Sequence, residues 1–318
     1  MKTEEDLRKS RESRERIISE LGQVPESIMV HNKSVKALDL MAEDRNYKMI
    51  RGQGGHHANR GHKSGRLEKC FEICGVGPRG GRGKVEDSAL SRFPQNVGRT
   101  LLLLYTKKGD TVFDPFAGHN SRMELCFRAG RNYFGNDLSS KFMNANRRIS
   151  EILKEKAKSD MFPDDFKATI TLTEGDSKKL PMKSATGDFT ITSPPYWDIE
   201  HYGDEPEQLG TGKTYEDFLS GLQQVARENY RVLKNGAFCV WCINDFRKGG
   251  RFYSYHEDTA QILRNAGFTQ WDICITDLGT SIRAAFAQQV IETKILPKRH
   301  EYCLIFKKII KPPLLAKK

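Results

Sequence analysis

The 318-residue sequence predicts a doubly wound α/β fold, with a mostly parallel sheet, helices on both faces and an antiparallel strand at one edge. Three observations predict it. From about residue 91 onward, strand and helix signals alternate, which is the pattern of βαβ units. Several strand signals are short apolar runs rather than strict alternations, as expected for strands buried on both faces. The last two strand signals have no clear helix between them, so those strands should pair antiparallel.

Taken in order, Thr111–Phe116 is an apolar run that ends at Pro and Gly, and Asn120–Ala129 suits a helix. Asn132–Asn136 reads as the second strand, followed by a long amphipathic helix near Ser139–Lys156. Ala168–Thr173, with its β-branched alternation, is the third strand and Asp188–Thr192 the fourth. Tyr215–Leu233 is helical, Ala237–Ile243 is the fifth strand, and His256–Ala266 is a helix. Trp271–Thr276 and Tyr302–Phe306 close the series. The first 90 residues differ. Residues 3–21 are charge-rich and read as an exposed helix, and a helical stretch lies near Val35–Ala42. Residues 51–84 are dense in Gly, Arg, Lys and His. From Lys48 to Lys84 nine basic residues face two acidic ones, a local net charge of +7. Such a stretch cannot build a core of its own and reads as a loop or arm.

The whole chain carries 52 Lys and Arg against 41 Asp and Glu, a formal net charge of +11, which favours polyanionic partners and nucleic acid above all. No apolar run approaches the roughly 18 residues of a membrane span, and the charged N-terminus has no secretory character. Seven cysteines, an odd number without a secretion signal, point to reduced thiols in a cytoplasmic setting. Cys239 and Cys242 lie in an apparent buried strand, where residues three apart face opposite sides, so both read as core thiols. His56, His57, His62, Cys70 and Cys74 fit no standard zinc spacing, and no metal is expected.

Open α/β sheets bind ligands at the carboxyl ends of their strands, near the point where strand order reverses. The two strongest motifs fall there. After the first strand comes Asp114-Pro115-Phe116-Ala117-Gly118, a turn into a helix start. Gly allows close backbone approach, and a helix N-terminus favours a carboxylate. Asp137, at the end of the second strand and 19 residues past Gly118, stands where nucleotide-binding units hold a ribose. Asp176, after the third strand, could accept from an adenine amino group. After the fourth strand comes Thr192-Ser193-Pro194-Pro195-Tyr196-Trp197. Two consecutive prolines fix φ and donate no N–H, leaving rigid carbonyls and the Ser193 hydroxyl as acceptors. An exocyclic base amine is a poor nucleophile because its lone pair is delocalised. Two acceptors that hold its hydrogens would pull it toward tetrahedral geometry and aim the lone pair. Tyr196 offers a face for stacking a flipped base.

These motifs together resemble the DNA amino-methyltransferases, the N4-cytosine and N6-adenine family. The resemblance rests on Phe93-Pro94 through Gly118, Gly135-Asn136-Asp137, Gly175-Asp176-Ser177 with Leu180-Pro181, Thr192 to Trp197, Arg231 to Gly236, and His300-Glu301-Tyr302 with Leu304-Ile305-Phe306. It covers roughly residues 91–308. It implies a Rossmann-like S-adenosylmethionine-dependent methyltransferase domain over 91–310, preceded by the helical segment and basic arm of 1–90 and followed by a basic tail, 311–318. It implies that Phe93, Asp114, Phe116, Gly118, Asn120, Asp137 and Asp176 bind S-adenosylmethionine, and that Ser193, Pro194, Pro195 and Tyr196 are catalytic. The expected partner is double-stranded DNA with a flipped base, the setting restriction-modification, and the state a monomer or loose dimer. His119 in the turn departs from the family's usual Gly-Ser-Gly-Thr or Gly-Ser-Asn-Thr. Asn120 and Ser121 are nearer the second form, which together with Ser193 favours cytosine N4 over adenine N6. RNA guanine methylation and a catalytically dead nucleic-acid-binding paralogue are the alternatives. No recognition domain separates Asp176 from Ser193. Target reading therefore falls to the arm of residues 48–90 or to the insertions His201–Lys213 and Gly279–Pro297, the second of which carries Arg283, Gln288, Gln289 and Lys294.

Overall fold

The computed structural model describes residues 5, 8, 12, 15, 19, 27–30, 93–118, 121–158, 167–200, 202–203, 205–210, 213–278, 287–296 and 298–310. The basic arm Lys48–Lys84, the stretch Val35–Ala42, the tail 311–318, and His119, Asn120 and Arg283 lie outside the described residues. Within the N-terminal stretch, Glu5, Arg8, Glu12, Glu15 and Ser19 are helical and exposed, with Arg8 paired to Glu12 at 3.7 Å.

Eight strands among the described residues form one sheet. They are β1 (Ile28–Val30), β2 (Thr111–Asp114), β3 (Asn132–Asp137), β4 (Ile170–Glu174), β5 (Gly187–Thr192), β6 (Leu233–Ile243), β9 (Thr269–Asp277) and β10 (His300–Lys307), in the spatial order β1-β9-β10-β6-β5-β2-β3-β4. A two-stranded ribbon, β7 (Phe246–Lys248) and β8 (Arg251–Tyr253), projects beyond β6. The helices are α1 (Gln95–Tyr105), α2 (Ser121–Arg128), α3 (Ser140–Ala157), α4 (Tyr215–Val232), α5 (Tyr255–Asn265) and α6 (Ala287–Thr293). From β2 the chain winds outward through β3 and β4, then returns to the other flank of β2 with β5 and β6, so the switch point lies between β2 and β5. The single strand that runs against its neighbours is β10. It lies inside the sheet between β6 and β9 rather than at the edge that the sequence predicts, because β9 and β1 extend the sheet beyond it. The border is taken by β1, which runs parallel to β9.

The strands at the switch point are buried on both sides because both sides are covered, with the polar side chains of β5, Thr190 and Thr192, hydrogen-bonded to Asn229 and Asp114. Val112, Phe113, Phe189, Ile191 and Val240 are fully buried. One face packs on α1, α2 and α3 through Val97, Leu101, Met123, Phe127, Ile149 and Leu153. The other packs on α4 and α5 through Phe218, Leu222, Val225, Leu263 and Phe268. The spacing of Phe218, Leu222, Val225, Ala226 and Asn229 gives α4 one continuous buried stripe, and Thr214 caps its N-terminus by accepting from the Asp217 amide. Each large apolar side chain taken fully out of water contributes about 1.5–3 kcal/mol. Cys239 and Cys242 are both fully buried and lie in the two opposite layers, as strand alternation requires. Burial pushes both thiols up, and Cys242 Sγ lies 3.1 Å from Cys303 Sγ as a free thiol pair.

Five elements lie outside the sequence expectation, namely α1, β1, β7, β8 and α6. Helix α1 precedes β2 and carries Gly98 where a Cβ would sit 2.4 Å from Leu125 Cδ2 and 2.6 Å from Phe93 Cε1, so glycine here permits close packing of α1 on α2. β1, the β7–β8 ribbon and α6 are built from elements three to seven residues long, too short for any periodicity to show.

Candidate active site

The site grows from Asp114, the last residue of β2, which is fully buried. Its Oδ2 accepts from Arg122 Nε at 2.6 Å and from the Tyr133 hydroxyl at 2.9 Å. Its Oδ1 accepts from the Thr192 hydroxyl at 2.6 Å and from the Phe116 amide at 3.2 Å. One carboxylate thus ties β2, β3, β5 and α2 together across the switch point. Arg122 also donates to the Phe116 carbonyl at 2.5 Å and the Ala117 carbonyl at 3.4 Å, fastening the turn from within. Burial works against the Arg122 charge, and Asp114 outweighs it, holding the guanidinium above its ordinary range. Phe93, 5% exposed, lies beneath that guanidinium at 5.7 Å. Asp114 therefore has its acceptor sites filled by protein donors and shapes the turn. Phe116 is half-buried and packs edge-on against Trp241.

The turn ends at Gly118, whose φ of +42° favours glycine. Among the described residues a Cβ there would meet the Phe116 carbonyl at 3.7 Å and Asp137 Oδ2 at 4.0 Å. The Gly118 amide donates to Asp137 Oδ2 at 2.7 Å, the Ser139 amide donates to Asp137 Oδ1 at 2.9 Å, and Asn146 of α3 holds the Gly118 carbonyl at 2.9 Å. Desolvation raises the Asp137 carboxyl to about 6, against the two amides that favour its charge. Neighbouring strand ends are stitched by Asn136, which donates to the Gly175 carbonyl and to Ser177 Oγ, both at 2.8 Å. Ser177 in turn donates to the Pro115 carbonyl. Asp176 accepts from the Lys178 amide at 2.9 Å and pairs with the Lys178 ammonium at 3.2 Å. Two acids at adjacent strand ends beside a glycine turn suit a ligand with a ribose and a charged tail, as S-adenosylmethionine has. Sequence reasoning gives Asn136, Asn146 and Ser177 no part in these bonds. Their signal in the chain is local only, polar residues beside motif positions.

Across the switch point, Ser193 to Tyr196 leave the end of β5. The Pro195 carbonyl accepts from the Tyr255 hydroxyl at 2.9 Å, which anchors the loop to α5. Among the described residues nothing donates to the Pro194 carbonyl, and the Ser193 hydroxyl has no partner. The Tyr196 ring is set edge-on against Tyr255 at 5.8 Å and Phe246 at 6.5 Å. Burial, followed by the charge of Glu301, keeps its phenol well above the ordinary tyrosine range, and so neutral. Trp197 adopts a φ of +41°, and its indole N–H donates to the Lys213 carbonyl at 2.9 Å. Gly210 abuts this bend so closely that a Cβ would lie 2.0 Å from the Trp197 carbonyl oxygen.

Glu301 is a site residue that sequence reasoning places in a motif without giving it a role. Because β10 runs against β6, its first residues lie at the carboxyl edge, with Tyr302 opposite Ile243 and Asn244 just past the end of β6. Burial raises the Glu301 carboxyl to about 7, against the opposing pull of Arg122, and its charge acts on Tyr196, Cys242 and Cys303. The Oδ1 of Asn244 is buried without a hydrogen-bond partner among the described residues. No cluster of metal-ligating side chains occurs among the described residues, and none of the helices they form is long and apolar enough to cross a membrane.

Residues 10–148 match the N6/N4 family described as DNA methylase. The match takes in the turn at Asp114–Gly118 and Asp137, covers less than half of the chain, and stops short of Ser193. No curated protein matches. A solved S-adenosylmethionine-dependent methyltransferase from Methanosarcina mazei is 12% identical, over 66% of this chain and 98% of that one, with a TM-score of 0.45. A Thermus thermophilus protein assigned as a DNA modification methylase, solved with S-adenosyl-L-methionine, is 28% identical over 44% of this chain and 57% of that one, with a TM-score of 0.32. Over residues 10–148 the chain is thus similar to the N6/N4 DNA methylases, and its strand order is that of a doubly wound α/β sheet with the matched turn at the switch point.

Proposed function

We propose that this chain transfers a methyl group from S-adenosylmethionine to the exocyclic amino nitrogen of a DNA base, cytosine N4 ahead of adenine N6. The observation that carries the reading is the loop after β5, a rigid Pro-Pro segment whose Pro195 carbonyl is anchored while the Ser193 hydroxyl and Pro194 carbonyl are without protein partners among the described residues. S-adenosylmethionine, when bound, supplies the electrophilic methyl group. Asp137 accepts from the ribose hydroxyls and Asp176 from the adenine amine. Ser193 and Pro194 hold the hydrogens of the target amine, and Tyr196 offers the face on which a flipped base stacks. A neutral hydroxyl with a carbonyl suffices to hold a cytosine amine, and Ser193 stands where a carboxylate would bind either amine through a stronger, charge-assisted bond. Residues 91–310 are the catalytic unit, and the basic arm at Lys48–Lys84 is assigned to phosphate contact.

The test is nucleoside mass spectrometry of unmethylated DNA incubated with the protein and S-adenosylmethionine. N4-methylcytosine is expected. N6-methyladenine alone would overturn the base assignment and keep the reaction class, and methyl groups confined to RNA would overturn the DNA assignment.

A further inference from the structure

The β7–β8 ribbon sits at the carboxyl edge of the sheet, directly after β6, and its inner side is built onto the loop of the candidate site. Phe246 stacks on Tyr253 at 5.2 Å and packs against both Tyr196 and Trp197. Lys248 lies 4.3 Å over the Trp197 ring and pairs with Asp198. The turn between the strands is Gly249-Gly250, with φ values of +56° and +80°, the pair of positive φ angles that a tight two-residue hairpin needs. A Cβ on either glycine would meet nothing within 4 Å, so the tip is bare backbone facing open space.

The fold engages the charge on this ribbon only in part: Lys248 is ion-paired, while Arg247 and Arg251 rest over the rings of Phe252 and Tyr253, each at 5.0 Å. Lys248 and Arg251 stand directly opposite each other in the register, a like-charge pair that destabilises a ribbon by itself. Arg247 and Arg251 have no carboxylate partner among the described residues. Arg247 lies 5.0 Å over the ring of Phe252, its cross-strand neighbour, and both residues are exposed, Phe252 at 45%. Three cations, a bare glycine tip and an exposed aromatic ring, all beside the loop that holds the target amine, form a surface suited to a sugar-phosphate backbone with a base or sugar against the ring.

We infer that the β7–β8 ribbon is a duplex-DNA contact that flanks the target base, with Arg247 and Arg251 on phosphates and Phe252 against the strand. The inference deepens the reading above and rests on it. The ribbon is separate in the chain from the insertions at His201–Lys213 and Gly279–Pro297, and it adds a further element to target binding. The experiment measures affinity for a short mixed-sequence DNA duplex across a salt series. It uses wild type, the double variant Arg247→Ala/Arg251→Ala, Phe252→Ala, and a charge-matched control, Lys154→Ala/Arg264→Ala, with Lys154 on α3 and Arg264 in the last turn of α5, at the opposite end of that helix from the ribbon. The double variant is expected to flatten the log–log salt slope by about 0.9 for each lost phosphate contact. Phe252→Ala is expected to weaken binding about 5-fold or more with the slope unchanged, since a stacked ring carries no charge. The control should leave the slope as in wild type, and S-adenosylmethionine affinity should be unaltered in all variants, which certifies the fold. A double variant whose slope matches both wild type and control overturns the inference, as does a wild-type chain that binds no duplex. A wild-type chain that binds duplex and transfers no methyl group refutes the proposed reaction, while the slope still decides the ribbon's role.

Discussion

The two flanks of the switch point are built on opposite principles. On the β2–β3–β4 side the strand ends and the turn are tied within the chain, with Asp114 taking four donors and Asn136, Asn146 and Ser177 bridging strand ends and turn. On the β5–β6–β10 side the Ser193 hydroxyl, the Pro194 carbonyl and Asn244 Oδ1 stand without partners among the described residues, and the two arginines of the β7–β8 ribbon have no carboxylate partner there. A small ligand of fixed shape is served by a preorganised cradle, whose polar groups need no rearrangement. A polymer that arrives with its own donors, acceptors and charges is served by groups left open to meet them. The difference separates residues whose loss should unfold the chain from residues whose loss should silence it.

The largest expected effect tests the closed side. Asp114→Ala leaves the Arg122 guanidinium buried without its carboxylate, an uncompensated charge that costs about 3–5 kcal/mol. A urea denaturation series is the measurement. A midpoint within error of wild type would show that the Asp114 knot is not what holds the turn. The open side predicts the reverse. Ser193→Ala should shift stability by no more than about 0.5 kcal/mol, yet lower methyl transfer on the order of 10-fold or more, the equivalent of a lost hydrogen bond of about 1–3 kcal/mol. Asp137 stands between the two classes, because it accepts from the Gly118 and Ser139 amides and is at the same time the acid proposed for the ribose. Asp137→Ala should cost roughly 1–3 kcal/mol of S-adenosylmethionine affinity by calorimetry. Unchanged affinity would remove Asp137 from the ribose assignment.

What is legible in the sequence follows the same division. The strands at the switch point announce themselves because they are covered on both faces, so that Val112 and Phe113 of β2 and Phe189 and Ile191 of β5 are fully buried apolar residues. The motif positions are legible because turns into helices need glycine, and strand ends that meet ligands need acids. Asn136 and Asn146 act through partners brought from β4 and from the turn, contacts that exist only once the sheet is assembled. The antiparallel pairing of β10 with its predecessor is legible because the seven-residue α6 between them gives no clear helix signal, but its interior place depends on β6 on one side and on β9 and β1 on the other, which local pattern does not encode. Glu301 is the sharpest case. Its character comes from the direction of β10, which carries a residue at the start of a strand to the edge where the other strands end.

That placement gives Glu301 a signature in acid and base. Its carboxyl titrates near 7 in the folded chain and at 4.5 ordinarily, with burial as the cause and Arg122 opposing. Between those values the folded chain keeps a proton that the unfolded chain releases, so the stability this group contributes is complete below about 4.5 and is lost as pH rises toward 7. Asp137, raised to about 6 from 3.8, adds a loss of the same sign over a lower window. Glu301→Gln carries the neutral form at every pH and so separates the two. The variant should match wild type near pH 5 and exceed it near pH 8 by on the order of 1–2 kcal/mol, with the Asp137 part of the curve intact. Urea midpoints at the two pH values provide the comparison. Parallel curves for wild type and variant would mean that Glu301 is solvated like an ordinary surface carboxylate and that its place at the start of β10 does not hold its proton.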